Sequence, residues 1–261
     1  MELSVDSKFS KHQDFQFKIP SGFWKLKNGK MKNILTNYMR SRMERKTVRE
    51  MHVDYGPVVT ISRAYGCPGK IVAQDLALNL NKRLLGSRAP HWKWISKEIL
   101  EESARELKLN KYRIKEAVNA NEKGVMDSMI ISLAHKFYPS DAKVKKTLAD
   151  VIKGFAREGH VIIVGRAGVS LTRSIKNSLH IRLQAPVEWR VKIISERQKI
   201  SIDEARRKLL EIDYKRDHLR EYFEGMKVDN SIFDVVFNYK TMNEEEILES
   251  IVRIMELKKM I

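Results

Sequence analysis

The chain has 261 residues, of which 43% are hydrophobic and 32% charged, a composition that excludes an intrinsically disordered protein. Its 50 Lys and Arg residues outnumber 33 Asp and Glu residues, and the resulting net charge of +17 favours anionic partners such as nucleotides, nucleic acid or an acidic membrane surface. A single cysteine, Cys67, excludes an intrachain disulfide and a cysteine-based zinc site, and no run reaches the roughly 18 apolar residues of a membrane span, so we expect a cytoplasmic protein without a transmembrane segment.

The first 55 residues form a basic segment, which we predict to be an N-terminal extension (1–55). Over residues 31–51, apolar side chains recur at helical spacing with arginines and lysines between them. This pattern is typical of a basic helix that packs its apolar stripe on the main domain. The alternatives are an arm that binds nucleic acid or an anionic membrane surface, and a contact with a partner or a second copy.

After residue 56, predicted strands and helices alternate to the end of the chain. The strands are predicted at 58–62, 92–95, 161–164, 179–183 and 234–237, where β-branched and apolar residues form short runs. The helices are predicted at 71–84, 97–107, 114–134, 143–157, 186–198, 202–223 and 243–257. Such alternation predicts one α/β domain over 56–261, with a parallel sheet covered by helices on both faces.

The stretch SRAYGCPGKI, residues 62–71, lies between the first strand and the first helix, where α/β proteins place phosphate-binding loops. Such a loop directs backbone N–H groups at anionic oxygens, and glycine lets the backbone approach them. Gly69 and Lys70 match the end of the G-x-x-x-x-G-K-[ST] pattern, whereas Ala64 replaces its first glycine and Ile71 its metal-binding hydroxyl. A tight turn that binds no ligand is the alternative.

Several segments together resemble the cytidylate kinase-like family of P-loop nucleoside monophosphate kinases. The string S-R-x-[aromatic]-G-x-x-G at 62–69 is similar to the degenerate phosphate loop of that family, and VIIVGRAG at 161–168 to its central strand and Gly-Arg turn. Residues 179–197, 201–222 and 233–246 look like its next strand and helix, its lid helix, and its last strand and helix. The resemblance covers about 57–258.

This resemblance implies a P-loop kinase-like three-layer fold with a central parallel sheet of about five strands. It also implies a helical insertion on the acceptor side at about 96–150 and a lid at about 199–229. The implied reaction moves the γ-phosphoryl group of ATP to a nucleoside monophosphate, with CMP or dCMP as the default acceptor and with ATP and Mg²⁺ as cofactors.

The resemblance also implies roles for particular residues, which are expectations at this stage. Lys70 and Arg216 are the candidate catalytic cations, since charge on the transferring group must be stabilised. The candidate contacts of the donor nucleotide are Ser62, Arg63, Gly66, Cys67, Gly69, Lys70 and Ile71. The candidate contacts of the acceptor are Arg63, Arg166, Asp213, Lys215 and Arg220. The alternatives are a solvated basic helix face for the lid cations, a structural ion pair for Arg166, and a loop-filling or a reactive thiol for Cys67.

Two positions depart from the pattern of the family: Ile71 in the loop, and Ser96, which stands where an Asp usually follows the second strand. No carboxylate is available for a metal after the strand at 161–164 either, because Gly165 follows it. These departures keep two other hypotheses open. One is a catalytically weakened nucleotide-binding regulatory protein, and the other is a nucleic-acid-associated protein acting through residues 1–55.

Overall fold

The computed structural model describes residues 56–97 and 142–261. Its strands are β1 Val58–Arg63, β2 Lys93–Ile95, β3 Val161–Val164, β4 Ser178–Gln184 and β5 Val235–Asn238. They form one parallel sheet in the order β2-β3-β1-β4-β5. The predicted α/β fold with a central parallel sheet of about five strands is therefore confirmed.

Helices follow the strands as predicted, with boundaries that agree to within a few residues. They are α1 Gly69–Arg83, α2 Ala142–Glu158, α3 Gly168–Thr172, α4 Val187–Gln198, α5 Ile202–Glu224 and α6 Glu244–Leu257. The helix α5, predicted as the lid, begins after Ser201, whose side chain accepts the N–H of Glu204 at 3.2 Å, and ends at Gly225 in the left-handed conformation.

Some predictions lie outside the described residues. These are the N-terminal extension 1–55, most of the insertion at about 96–150, and the predicted helices at 97–107 (from residue 98 onward) and 114–134. The short helix α3 is an addition, because its five residues are too few to show a helical periodicity.

The central strands are buried on both faces, which explains their unbroken apolar sequences. In β3, all four residues are at most 1% exposed. On one face, α1 and α6 share a core with the sheet through residues such as Leu76 and Ile251. Helix α2 packs on β3 and contributes the fully buried Phe155.

A second, smaller core joins α4 to α5. It consists of Val191, Ile194, Ala205 and Leu209, with Tyr65 and Ile200 packed against it. Because Tyr65 lies two residues after the end of β1, this small core connects α5 to the carboxyl ends of the sheet strands. That edge of the sheet is where open α/β folds bind their ligands.

Candidate functional site

The segment between β1 and α1, residues 64–68 (the β1–α1 loop), forms a compact turn. The N–H of Ala64 donates to the carbonyl of Leu183 at 2.9 Å, and the N–H of Cys67 donates to the carbonyl of Ala64 at 3.1 Å. Gly66 adopts a φ of +100°, which favours glycine. Several loop N–H groups are thus used within the fold, which gives the turn a fixed shape.

Cys67 fills the inside of this loop. Its side chain is 8% exposed and belongs to the main core. Burial raises the pKa of the Cys67 thiol to about 11. The structure therefore agrees with the loop-filling role and not with a reactive thiol.

Helix α5 is attached to the loop through a carboxylate. Asp213 Oδ1 accepts the backbone N–H of Tyr65 at 2.7 Å, and Asp213 Oδ2 accepts from Arg190 Nη1 at 2.6 Å. The same Arg190 donates to the carbonyls of Ala185 and Tyr65 at 2.9 and 3.0 Å. Arg190 therefore joins α4, the loop and the lid helix in one network.

Three further contacts hold the loop between α4 and α5. Arg216 Nη1 donates to the carbonyl of Arg63 at 3.0 Å, and its guanidinium lies 5.5 Å from the centre of the Tyr65 ring. The hydroxyl of Tyr65 accepts from Gln198 Nε2 at 2.7 Å. Helix α5 is therefore attached to the loop through both backbone and side-chain contacts, and α4 holds the Tyr65 hydroxyl.

Next to this junction lies a small cleft at the carboxyl ends of β1 and β3 (the arginine cleft). Its lining consists of Ser62, Arg63, Gly165, Arg166, Ala167, Arg216, Leu219 and Arg220, around a cavity of about 20 Å³. A cavity of this size holds roughly one water molecule, so the cleft is narrow. Four of the lining residues are arginines, and this concentration of positive charge favours anions.

The turn after β3 shapes one wall of the cleft. Gly165, Arg166 and Ala167 have φ values of +69°, +55° and +53°. Left-handed conformations in residues other than glycine cost of order 1–3 kcal/mol each and cluster at functional sites. Arg166 is 8% exposed and lines the cleft, as expected for a residue at the carboxyl end of a strand.

The opposite wall is formed by the end of the lid helix. Arg220 is 8% exposed and pairs with Asp217, and its buried Nε has no hydrogen-bond partner in the part of the chain that the structure describes. Arg182 on β4 lies close by, and its pKa is lowered by burial and by the charge of Arg220. Closely spaced positive charges of this kind favour the binding of an anion.

The structure brings together only part of the predicted site. Ser62, Arg63, Arg166, Arg216 and Arg220 line the arginine cleft, and Asp213 contacts the loop. Gly66, Cys67 and Gly69 shape the loop and the start of α1.

Ile71 follows in the first turn of α1, and the side chain of Lys70 is exposed and outside the lining of the cleft. Lys215 also lies outside it, in an ion pair with Glu211.

Sequence reasoning did not assign the role of Arg190. Its position on the predicted helix after residues 185 and 186 left two orientations open, toward the nucleotide or toward solvent. In the structure it is 7% exposed and bonded to the loop. The pattern of apolar residues around Arg190 in α4 is too weak to choose between these two orientations.

The described residues do not fit a magnesium ion held by protein side chains. Ile71 provides no oxygen at the usual position of the loop hydroxyl, and β3 is followed by Gly165. Ser96, which follows β2 in place of the usual Asp, carries no carboxylate and is 2% exposed. Within the described ranges no group of three His, Cys, Asp or Glu residues is placed to hold a metal.

Residues 58–241 match the model of the cytidylate kinase-like family, which is more than half of the chain. The chain belongs to the cytidylate kinase-like family. Membership confirms the resemblance seen in the sequence and makes the protein a kinase-like nucleotide-binding protein. Among curated proteins, none matches the chain.

A solved structure supports the fold of this cytidylate kinase-like protein. An uncharacterized protein from Eubacterium ventriosum ATCC 27560 is 19% identical, with a TM-score of 0.54 over 77% of this chain and 98% of that one. TT1252 from Thermus thermophilus is 17% identical over 76% and 97% of the two chains, with a TM-score of 0.35.

In the described part of the chain, no helix combines the length and apolar character needed to cross a membrane.

Proposed function

We propose that this protein is a phosphotransferase that moves the γ-phosphoryl group of ATP to a nucleoside monophosphate, with CMP or dCMP as the default acceptor. The arginine cleft carries the proposal, because four arginines line the space where the carboxyl ends of β1 and β3 approach α5. Phosphoryl transfer requires preorganised positive charge more than covalent chemistry by the protein.

The residues of the cleft divide naturally between its two sides. Arg63 and Arg166 lie at the carboxyl ends of β1 and β3, and they are suited to hold a phosphate of the acceptor. Arg216 and Arg220 come from α5, so their position depends on the lid, and they are suited to stabilise charge on the transferring group once the lid excludes water. Lys70, in the first turn of α1, is proposed to bind the phosphates of ATP.

A second candidate is a nucleotide-binding regulatory protein with little turnover. The observation that favours it is the first turn of α1, where Ile71 lacks the hydroxyl and Lys70 is exposed outside the arginine cleft. Such a protein would keep the affinity for nucleotide phosphates and lose the transfer step.

The deciding experiment measures ADP release from Mg·ATP with CMP, dCMP, UMP, AMP and GMP in turn. We expect release that depends on the acceptor and is lost in Lys70→Ala, while circular dichroism shows a folded variant. Absence of ADP release with every acceptor, from a folded chain that still binds ATP in calorimetry, would replace the kinase by the regulatory protein. Turnover that survives Lys70→Ala would refute the role of Lys70.

A further inference from the structure

The β1–α1 loop already holds an anion that belongs to the chain itself. The carboxylate of Asp213 accepts the N–H of Tyr65 at 2.7 Å and a guanidinium N–H of Arg190 at 2.6 Å. A second guanidinium, that of Arg216, lies 3.5 Å from the same carboxylate. A loop N–H combined with two arginines is the set of donors that proteins use for a phosphoryl oxygen.

We infer that Asp213 competes with phosphoryl groups for this loop, so that a nucleotide phosphate must displace the carboxylate before it can use the same donors. This inference rests on the proposed function, since it concerns the regulation of the proposed nucleotide site. Tyr65 has one backbone N–H, which cannot serve two oxyanions in full. A phosphate brought beside the Asp213 carboxylate would also be repelled by its negative charge.

The position of Asp213 on α5 links this exchange to the arginine cleft. Arg216 and Arg220 follow it on the same helix and line the cleft. The side chain of Asp213 is 22% exposed, so solvent and ligand can reach it. Displacement of the carboxylate would therefore release one attachment of α5 to the loop, next to the cations that line the cleft.

The alternative is that Asp213 only orients Arg190 and Arg216. The two roles predict opposite effects of a neutral side chain at this position. If Asp213 competes, Asp213→Asn binds phosphate anions more tightly than the wild type. If it only orients, the arginines lose their alignment and the variant binds more weakly.

The experiment is a calorimetric titration of the full chain with inorganic pyrophosphate and with ATP at fixed ionic strength. Asp217→Asn is the matched control, because it removes the same charge from the same helix at a residue that pairs with Arg220. We expect Asp213→Asn to bind pyrophosphate about tenfold more tightly than the wild type, the equivalent of one charge-assisted hydrogen bond regained by the ligand. The effect should exceed that of Asp217→Asn.

Asp213→Ala is a second variant, which removes the acceptor of the Tyr65 N–H altogether and should also bind more tightly. Affinity that is unchanged or weaker in both variants, or raised no more than in Asp217→Asn, would overturn the inference. Pyrophosphate binding requires no turnover, so this result is distinct from a failure of the proposed function, which would appear as absent ADP release with every acceptor.

Discussion

The guanidinium of Arg63 occupies the space that a side chain at Gly165 would need. A Cβ atom added to Gly165 would lie 1.9 Å from Nη1 of Arg63, and Gly165 has a φ of +69°. Gly69 makes a similar approach possible on the other side, where an added Cβ would lie 3.2 Å from Cδ of Arg63. The two glycines thus allow Arg63 to extend from the end of β1 into the arginine cleft.

Gly165→Ala is therefore expected to displace Arg63 from the cleft. Because the atom in the way is the end of a flexible side chain, the main structural penalty is the left-handed backbone, roughly 1–2 kcal/mol. The affinity for ATP or pyrophosphate should fall by about tenfold or more, as for the loss of a hydrogen bond to a charged group. Calorimetry and thermal unfolding measure the two effects.

Gly86→Ala is the matched control for this prediction. Gly86 has a φ of +84°, and an added Cβ would meet no atom within 4 Å. The Gly86→Ala variant should lose about as much stability as Gly165→Ala and should keep the anion affinity of the wild type. Equal affinity in Gly165→Ala and Gly86→Ala would mean that the position of Arg63 is unimportant for binding.

Adjacent cations on α5 provide a second prediction. Arg216 bonds to the carbonyl of Arg63 and lines the cleft, whereas Lys215 pairs with Glu211 on the exposed side of the helix. Arg216→Ala should lower acceptor-dependent ADP release by about 100-fold or more, in the range reported for removing a transition-state donor. Lys215→Ala removes the same charge and should lower it less than about threefold, since exposed ion pairs contribute little. Similar losses of ADP release in Arg216→Ala and Lys215→Ala would mean that the net charge of α5 supports the reaction and that the position of Arg216 does not matter.

Strand β3 and helix α5 are two elements whose positions can be predicted from the sequence. The run at 161–164 is apolar at every position, as a strand covered on both faces must be, and its location follows from the sequence alone. The boundaries of α5 also follow, because Ser201 and Gly225 are typical capping residues. Local signals of this kind depend on neighbouring residues only.

The contacts of the site are harder to predict because they depend on packing. Asp213 and Tyr65 are 148 residues apart, and their contact requires a particular rotation of α5 about its axis. That rotation is set by Ala205 and Leu209 in the small core with α4. Arg166 was predictable as a strand-end residue, whereas the inward orientation of Arg190 depended on this packing.

Cys67 provides a third prediction, on chemical reactivity. With its pKa raised to about 11 by burial, about 0.1% of the thiol is ionised at pH 8, and only the thiolate reacts readily with iodoacetamide. Alkylation of the native chain should be at least about 100-fold slower than in denaturant. Mass spectrometry gives a clear count, since Cys67 is the only cysteine. Rapid labelling of the native chain would show that the loop opens and exposes the thiol.

The buried ring of His180 provides a fourth prediction, on stability at acid pH. Its Nδ1 lies 2.9 Å from the hydroxyl of Thr60, and its Nε2 lies 3.1 Å from that of Ser178. The Ser178 hydroxyl donates to the carbonyl of Ile175 at 2.6 Å, so its oxygen is left to accept from Nε2–H. Nδ1 then accepts from Thr60, so these contacts suit the neutral ring that carries its proton on Nε2.

Burial accordingly lowers the pKa of His180 from its ordinary 6.5 to about 4. The unfolded chain takes up a proton on this residue as the pH falls below 6.5, whereas the folded chain resists protonation until about pH 4. The free energy of unfolding should therefore decrease between these two values, by about 3 kcal/mol in total for this one residue.

Urea unfolding of the full chain at several pH values between 4 and 7.5 measures this decrease. His180→Gln should be less stable than the wild type at pH 7.5, because a buried hydrogen-bond network is broken, and it should show a flatter dependence on pH. His218→Gln is the control, since His218 is exposed on α5 and its replacement should leave the acid dependence in place. An acid dependence that persists unchanged in His180→Gln would assign it to other groups and refute the neutral tautomer.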